Sequence, residues 1–384
     1  MGDLNDFGDL GLSDHWIMTP SGKLRARGLG LPLPGLPGTY NAITDVADVA
    51  VGYDTLVVGD GPLIVGQGPI RTGVTAILPR GRQMADCPCA AGAFSFNGNG
   101  EMTGLAWIEE AGELQTPITI TNTHSCGVAR DATLQWLVNE KIGTGQNWGL
   151  PVAAETYDGD LNDINGFHIT PQNVFAALDG VTNGPLELGN VGGGTGMLTY
   201  DFKGGSGSAS RRVNVANEVF TVGVFVQSNF GRREDLMVLG VPVGQHISWD
   251  KLRGKEQGSI IAIVATDAPL LPHQLKRMAR RVPLGMARTG SFGGHSSGDI
   301  FLAFSTGNER GYGTNDIRRQ VEYLSHEAMD GLFRATVEVT EEAILDAMIT
   351  GETMVGRDGN VAIALPHDKL LAVLAQYNRS ANAK

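Results

Sequence analysis

Short apolar runs alternate with glycine-rich turns along most of the chain, and this pattern predicts β-strands. The stretches that fit are 46–58, 73–78, 118–122, 151–157, 212–227, 236–243, 259–266 and 299–305. The run SIIAIVAT at 259–266 is nearly all apolar and β-branched, which is typical of a buried central strand. Because the strands come in runs and do not alternate regularly with helices, the pattern favours an α+β layered domain over a doubly wound sheet.

A period of 3.6 residues predicts helices in fewer places. We expect helices at 127–140 and 272–287, an apolar helical stripe along 321–332 through Val321, Leu324, Ala328 and Leu332, and a last helix after Pro366. Thr340, followed by two glutamates, predicts a helix N-cap. The first 45 residues are interrupted by Pro and Gly and predict an extended segment. No repeat or linker divides the chain, so we expect one domain over 1–384.

Composition and charge exclude several classes of protein. Glycine accounts for 54 of 384 residues, which indicates tight turns and close backbone approaches. A net charge of −12 argues against a nucleic-acid-binding surface, and no apolar run is long enough to predict a membrane span. The acidic N-terminal sequence is unlike a secretory signal. Together with three cysteines that cannot all pair, Cys87, Cys89 and Cys126, it predicts a cytoplasmic protein with free thiols.

Two motifs suggest chemistry but lack the context that it needs. The loop GGGTGM at 192–197 has neither the glycine spacing of a dinucleotide site nor the GK[ST] of a phosphate-binding loop. The sequence GHSSG at 294–298 has the form of a nucleophile elbow, which requires a strand before its serine, Ser296, and a helix after it. Here glycines precede that serine and a strand follows it, so the order is wrong.

A third candidate is the junction of Gly258 and Ser259 at the start of the 259–266 strand. One interpretation is structural: a polar loop simply enters a core strand there. The other is an N-terminal nucleophile, in which the Ser259 hydroxyl attacks the preceding carbonyl and hydrolysis frees the serine α-amine. Such an amine titrates near neutral pH and can act as a base for its own hydroxyl.

The stretches GSIIAIVATDAPLLPHQLKRMARR and MARTGSFGGHSSGDIFLAFSTGN resemble the L-aminopeptidase/D-esterase (DmpA) family, which includes the β-peptidyl aminopeptidases. Upstream, AETYDGDLNDINGFHI, NVGGGTGM and VGVFVQSNFGRREDL resemble it in the same order. The resemblance implies a four-layer αββα sandwich of the N-terminal-nucleophile type. It also implies a precursor that cuts itself between Gly258 and Ser259 into fragments 1–258 and 259–384, which stay associated and form homo-oligomers. The implied activity removes N-terminal residues from small peptides, amides or esters, without a metal or organic cofactor.

The resemblance also assigns roles in catalysis. Ser259 matches the nucleophile, and Ser297 with Asp299 matches the serine–acid pair that orients it. Many members have Glu at the position of Asp299. Because Asp is one methylene shorter, we expect either a closer backbone or a weaker hydrogen bond.

Three further residues match the remaining parts of the site. Asn229 matches the amide that donates to the oxyanion, and Tyr157 a pocket tyrosine whose phenol can also reach that charge. Glu155, two residues earlier on the same strand, would share the face of Tyr157 and is a candidate partner for the substrate ammonium. Asn229, Asp299 and Glu155 each have a structural alternative: Asn229 could cap a turn, Asp299 could cap the strand entry, and Glu155 could be a rim carboxylate.

Two other functions are consistent with parts of this pattern. An acyltransferase like the ornithine acetyltransferases would share the architecture, but those enzymes use threonine as nucleophile, and Ser259 argues against this. An uncleaved binding protein that has lost activity is the other alternative. The retention of Gly258, Ser259, Asn229 and the serine–acid pair argues against it.

Overall fold

A computed structural model describes residues 13–82, 87–140, 148–215, 217–253, 258–313 and 317–379. The acidic N-terminal sequence at 1–12 lies outside these ranges. Strands are numbered β1 to β14 and α-helices α1 to α10 in chain order. The helices are α1 (Asp14–Ile17), α2 (Leu105–Ala111), α3 (Cys126–Asn139), α4 (Pro171–Asp179), α5 (Val243–His246), α6 (Pro272–Ala279), α7 (Val282–Arg288), α8 (Glu309–Tyr312), α9 (Asp330–Ile349) and α10 (His367–Gln376). Single 3₁₀ turns cover Ile43–Asp45, Thr123–Ser125, Ile164–Gly166, Gly192–Gly194, Arg233–Asp235, His326–Ala328 and Arg357–Gly359.

Two sheets form the centre of the molecule. The smaller has the strand order β1-β2-β5-β6, with β1 (Ala50–Val58), β2 (Ile70–Arg82), β5 (Ile118–Asn122) and β6 (Val152–Thr156). The larger has the order β4-β3-β12-β11-β10-β9, with β3 (Cys89–Gly98), β4 (Glu113–Leu114), β9 (Gly205–Val215), β10 (Glu218–Asn229), β11 (Gly258–Thr266) and β12 (Ser297–Ser305). Two short pairs complete the strands: β7 (Leu198–Thr199) with β8 (Phe202–Lys203), and β13 (Met354–Val355) with β14 (Val361–Ala362).

The side chains of β11 show how the sheets are layered. Ile261, Ile263 and Ala265 face a core shared with the smaller sheet, whereas the alternate residues at 260, 262 and 264 face the helices α6, α7 and α9 on the outer side. Helices α3 and α4 cover the other side of the smaller sheet. The order of layers is therefore helix, sheet, sheet, helix, which confirms the predicted α+β αββα architecture.

The structure corrects several predicted elements. The stretch 212–227 is not one strand, because β9 and β10 form a hairpin whose turn has Asn217 at φ +72°. The stretch 236–243 is largely irregular, with an isolated bridge between Val238 and Val241 before α5. Strand β3 was missed. The helix predicted over 272–287 is two helices, α6 and α7.

The C-terminal helices differ most from the prediction. The proposed N-cap at Thr340 is wrong, because Thr340 lies inside the 20-residue helix α9. Its hydroxyl donates to the carbonyl of Thr336 (2.7 Å), which lets a polar β-branched residue continue the helix. The 321–332 stripe is also wrong, because only its last member, Leu332, lies in that helix. The last helix after Pro366 is confirmed as α10.

Candidate active site

A cleft of about 360 Å³ opens at the end of the two sheets where β11 and β12 begin and β6 ends. Every one of its lining residues except Gly258 has a polar side chain; these residues are Asn99, Thr123, Glu155, Tyr157, Asp160, Gly258, Ser259 and Ser296. Three of the residues that the sequence assigned to one site, Ser259, Tyr157 and Glu155, therefore share this cleft. Their positions along the chain are far apart, and the packing of the two sheets brings them together.

Ser259 lies at the beginning of the central strand β11, between β10 and β12. Its Oγ accepts a hydrogen bond from the backbone N–H of Gly298 (3.1 Å), and only 5% of the residue is exposed. Gly258 before it has φ +138°, where side chains are disfavoured. A Cβ there would lie 1.7 Å from the backbone oxygen of Asn229, so glycine is required for steric reasons as well.

The serine–acid pair is present on β12. Ser297 Oγ donates to Asp299 Oδ1 at 2.6 Å, and both residues are buried. The short distance shows that the aspartate reaches the serine without the extra methylene of glutamate. Because β11 and β12 are parallel and in register, Ser297 lies opposite Gly258. The pair is therefore beside the Gly258–Ser259 peptide bond.

The charge of Asp299 is set by two opposing effects. Burial raises the pKa of its carboxyl, while hydrogen bonds from the Ser297 hydroxyl, the Asn97 amide and the backbone N–H of Ile260 lower it. Burial dominates, so the pKa lies above that of an ordinary aspartate. The hydrogen bonds are thus what favours the ionised form in this buried position.

Asn229 is fully buried at the end of β10, opposite Ser259 in the antiparallel pairing. Its Oδ1 accepts from the backbone N–H of Leu198 (2.9 Å) and from Arg253 Nη2 (3.0 Å), and its Nδ2 donates to the Tyr157 carbonyl (2.7 Å). These donors and this acceptor fix which end of the amide is oxygen and which is nitrogen. One N–H of the Asn229 NH₂ group donates to the Tyr157 carbonyl, and the group has a second N–H.

Glu155 and Tyr157 line the same cleft, as their spacing predicted. Glu155 is 2% exposed, its Oε1 accepts from the backbone N–H of Glu101 (2.9 Å), and burial raises the pKa of its carboxyl. Tyr157 is more open, with 39% of the residue exposed, and partial burial raises the pKa of its phenol. A buried carboxylate that faces a polar cleft suits a cationic ligand group.

Several site residues escaped the sequence analysis. Arg253 binds both Asp160 Oδ2 (2.6 Å) and Asn229. It therefore connects a residue that lines the cleft, Asp160, to the buried amide of Asn229. Asn97 binds Asp299, and Asn99 Nδ2 donates to the carbonyl of Ser296 (2.7 Å). The only available signal for the asparagines was their place in the Gly/Asn-rich stretch FNGNGE, which predicts a turn.

The glycine-rich loop at 192–197 contacts the site through the residue that follows it. The backbone N–H of Leu198 donates to Asn229 Oδ1, and the buried ammonium of Lys203 holds the loop by donating to the carbonyl of Met197 (2.9 Å). Lys203 also donates to its neighbour Gly204 (2.7 Å), and burial lowers the pKa of its amine to about 7. The loop therefore orients the amide of Asn229.

Other features concern metals, thiols and membranes. Within the described ranges, no group of three or more His, Cys, Asp or Glu side chains could hold a metal ion. All three cysteines are free and buried, as expected. Among the helices of the described chain, none is long and apolar enough to cross a membrane.

Comparison with known proteins identifies the family of this chain. Residues 41–362 match Peptidase family S58. The beta-peptidyl aminopeptidase BapA of Sphingosinicella microcystinivorans is 48% identical over 375 residues, covering 94% of each chain. BapA of Sphingosinicella xenopeptidilytica is 43% identical over 366 residues, covering 91% of this chain and 90% of that protein.

Solved structures show the same similarity. The L-aminopeptidase D-Ala-esterase/amidase of Ochrobactrum anthropi, a prototype for the serine aminopeptidases and a variant of the N-terminal-nucleophile hydrolase fold, superposes with a TM-score of 0.87. It is 48% identical, over 93% of this chain and 99% of that one. A β-aminopeptidase of Burkholderia sp. gives a TM-score of 0.85 at 44% identity, over 92% and 99% of the two chains. We conclude that this chain belongs to Peptidase family S58 and is a serine aminopeptidase with the N-terminal-nucleophile hydrolase fold.

Proposed function

We propose that the chain cuts itself before Ser259 and then uses this serine to release N-terminal residues from small peptides, amides or esters. The observation that carries the proposal is the position of the Gly258–Ser259 bond. It lies at the first residues of the central strand, at the wall of a polar cleft, with the Ser297–Asp299 pair beside it. A serine that only began a core strand would need neither the cleft nor the pair.

In the processing step, Ser259 Oγ attacks the carbonyl carbon of Gly258. The C–N bond breaks, the nitrogen takes up the proton, and an ester joins Oγ to Gly258. Water then hydrolyses the ester, which leaves a carboxylate on Gly258 and a free α-amine on Ser259. The φ of +138° at Gly258 holds the peptide in a conformation that other residues disfavour.

In the aminopeptidase reaction, the new α-amine removes the proton from Ser259 Oγ as it attacks the substrate carbonyl. Asp299, through the hydroxyl of Ser297, keeps this amine oriented. The leaving group departs with a proton, and water releases the acyl group from the serine. Apart from water, the proposed reaction uses only groups of the protein.

Three residues are the proposed partners of the charges in this reaction. The second N–H of Asn229 is the proposed donor to the oxyanion, with the phenol of Tyr157 as a further donor; losing one such donor typically costs about 10²–10³ in rate. Glu155 is the proposed partner of the substrate ammonium. An exposed N-terminal amine loses its hydration here in exchange for a buried carboxylate.

Several broader features belong to the same proposal. Residues 1–258 and 259–384 would form one folded unit in two fragments, and such units would assemble into homo-oligomers. The net charge of −12 supports small-molecule substrates over nucleic acid. The three free buried thiols are consistent with a cytoplasmic location.

The test is a denaturing gel of the purified protein with N-terminal sequencing, alongside Ser259→Ala. We expect two fragments from the wild type, the smaller beginning Ser-Ile-Ile-Ala, and a folded, uncut and inactive variant. Ser325→Ala, an exposed serine of the same fragment, is the matched control and should be cut and active. A wild type that stays intact on incubation, or a Ser259→Ala protein that keeps peptidase activity, would refute the proposal.

A further inference from the structure

The register of β3 against β12 changes beside the acid of the site. Asp299 pairs with Asn97 and Ile300 with Ser95, so Phe96 is an extra residue, a β-bulge on β3. Strand residues alternate between the two faces of a sheet. On β3, Ala93 contributes to the core between the sheets, and without the extra residue Asn97 would point to that same face. The bulge shifts Asn97 by one position, to the face of Asp299.

The amide of Asn97 makes two hydrogen bonds in this position. Nδ2 donates to Asp299 Oδ2 at 2.8 Å and to the backbone carbonyl of Gly294 at 3.3 Å. The first bond holds the oxygen that Ser297 does not use, since Ser297 binds Oδ1. The second ties the carboxylate to the turn that leads into Ser297. Both oxygens of Asp299 thus have their own donor.

Gly293, in the turn before Ser297, leaves the space that Phe96 and the Asn97 amide occupy. Gly293 has φ +68°, and a Cβ on it would lie 2.3 Å from the ring of Phe96 and 3.2 Å from Asn97 Nδ2. A side chain at this glycine would therefore push against both the bulge residue and the amide. The bulge, the glycine turn and the amide form one arrangement around the carboxylate.

A buried carboxylate without fixed donors would rotate and take up a proton more readily. The carboxylate of Asp299 is fully buried, with 0% of the residue exposed. Its hydrogen bond to Ser297 depends on the carboxylate plane being held. Asn97 is the side chain that holds the second oxygen.

We propose that Asn97 is a positioning residue, which the Phe96 bulge aims at Asp299 so that the Asp299–Ser297 pair stays oriented for the chemistry at Ser259. The inference rests on the proposed function, because it assigns Asn97 to the same reaction. Asn97 contacts Asp299 and lies outside the set of residues that line the cleft, so its proposed action is through Asp299.

The experiment measures kcat and KM of Asn97→Ala and Asn97→Asp on an aminoacyl p-nitroanilide, normalised to the fraction of cut chain on a gel. We expect Asn97→Ala to lower kcat about ten- to a hundredfold, the value of a hydrogen bond to a charged group, with KM within about twofold of wild type. Asn97→Asp keeps the size but places a second carboxylate against Asp299, so its kcat should be lower still. Thermal melts should show both variants folded.

Asn214→Ala is the matched control, an exposed asparagine on the edge strand β9 of the same sheet, and should keep the wild-type kcat. A kcat within about twofold of this control in both Asn97 variants would overturn the positioning role. So would an increase in KM at unchanged kcat, which would mean that Asn97 only shapes the cleft. Neither outcome would affect the proposed function, which fails if the wild type is uncut or inactive, or if Ser259→Ala keeps peptidase activity.

Discussion

At the scale of single residues, Glu155 is buried but lines the cleft, so a ligand in the cleft can reach its carboxylate. Its carboxylate receives one backbone N–H, from Glu101, and its pKa is raised mainly because burial removes water. An ammonium ion that enters the cleft would restore favourable interactions to the charged form. In the proposed function, the residue would therefore bind a substrate amine without being needed for the cut at Gly258.

Glu155→Gln should therefore separate binding from processing. We expect KM to rise about tenfold or more, because a charged hydrogen bond is lost, while the chain is still cut at the normal extent. Steady-state kinetics and a gel measure the two effects on one preparation. Glu110→Gln, an exposed carboxylate on α2, is the control and should change neither.

The proposed role of Glu155 also predicts that KM rises as the pH falls. Glu155 would bind the ammonium in its ionised form, and burial holds its pKa above the ordinary value. As the pH falls through this raised pKa, the carboxylate is neutralised and KM should rise, and this rise should be absent in Glu155→Gln. A wild-type KM that improves on acidification would contradict the role.

The residues of the site differ in how far the sequence could predict them. Ser259, Ser297 and Asp299 lie in motifs that resemble a family, so each could be assigned by position. Asn97 contacts an acid 202 residues away, through a bulge that no periodicity predicts. Arg253 likewise binds Asn229, which lies 24 residues earlier in the chain, through a contact that no sequence pattern predicts.

At the scale of elements, helix α9 is tied to the N-terminal segment by buried ion pairs. Arg25 donates from Nε (2.9 Å) and Nη2 (2.7 Å) to Asp346 Oδ2, and the N–H of Ala26 donates to Oδ1 (2.7 Å). One turn earlier, Glu342 pairs with Arg27 and Arg211. The segment that the sequence predicted as extended is thus fixed by charge as well as by packing.

Removing one charge should destabilise the fold strongly. We expect Asp346→Asn to lower the free energy of unfolding by about 3 kcal/mol, because it leaves the buried guanidinium of Arg25 without its counter-charge. Urea unfolding in the Ser259→Ala chain measures this on one covalent unit. Glu109→Gln, which breaks the exposed pair with Lys276, should cost less than about 1 kcal/mol; an equal loss in both would exclude a special role for the buried pair.

Hydrophobic periodicity and capping residues did not predict all of the boundaries of helices and strands. The alternation through 212–227 continues across a hairpin turn, so periodicity alone could not separate β9 from β10. Thr340 is a good N-cap by type, but its hydroxyl has a helical partner in Thr336, which only the three-dimensional structure reveals. By contrast, 259–266 was predicted almost to its ends, because every residue of β11 is buried.

At the scale of the whole molecule, the proposed cut divides a sheet whose strands are interleaved. Strands β11 and β12 belong to the downstream fragment, and they lie between β3 and β10 of the upstream fragment. Helix α9 of the downstream fragment covers β9 and β10 of the upstream one. The fragments therefore share both the sheet and the core.

This interleaving predicts that the two fragments cannot be separated without unfolding. They should elute together in size-exclusion chromatography, also at 1 M salt, because apolar burial is not screened as surface charge is. They should separate only in denaturant. Elution of the 259–384 fragment on its own under native conditions would contradict the described sheet.

If the chain cuts itself as proposed, the interleaving also couples this cut to folding. The reactive amine would form only once β10 and β12 flank β11, and a nascent or misfolded chain would hold an ordinary amide in place of the base. An unfinished chain would then lack peptidase activity, and folding itself would switch the enzyme on without a separate activating enzyme.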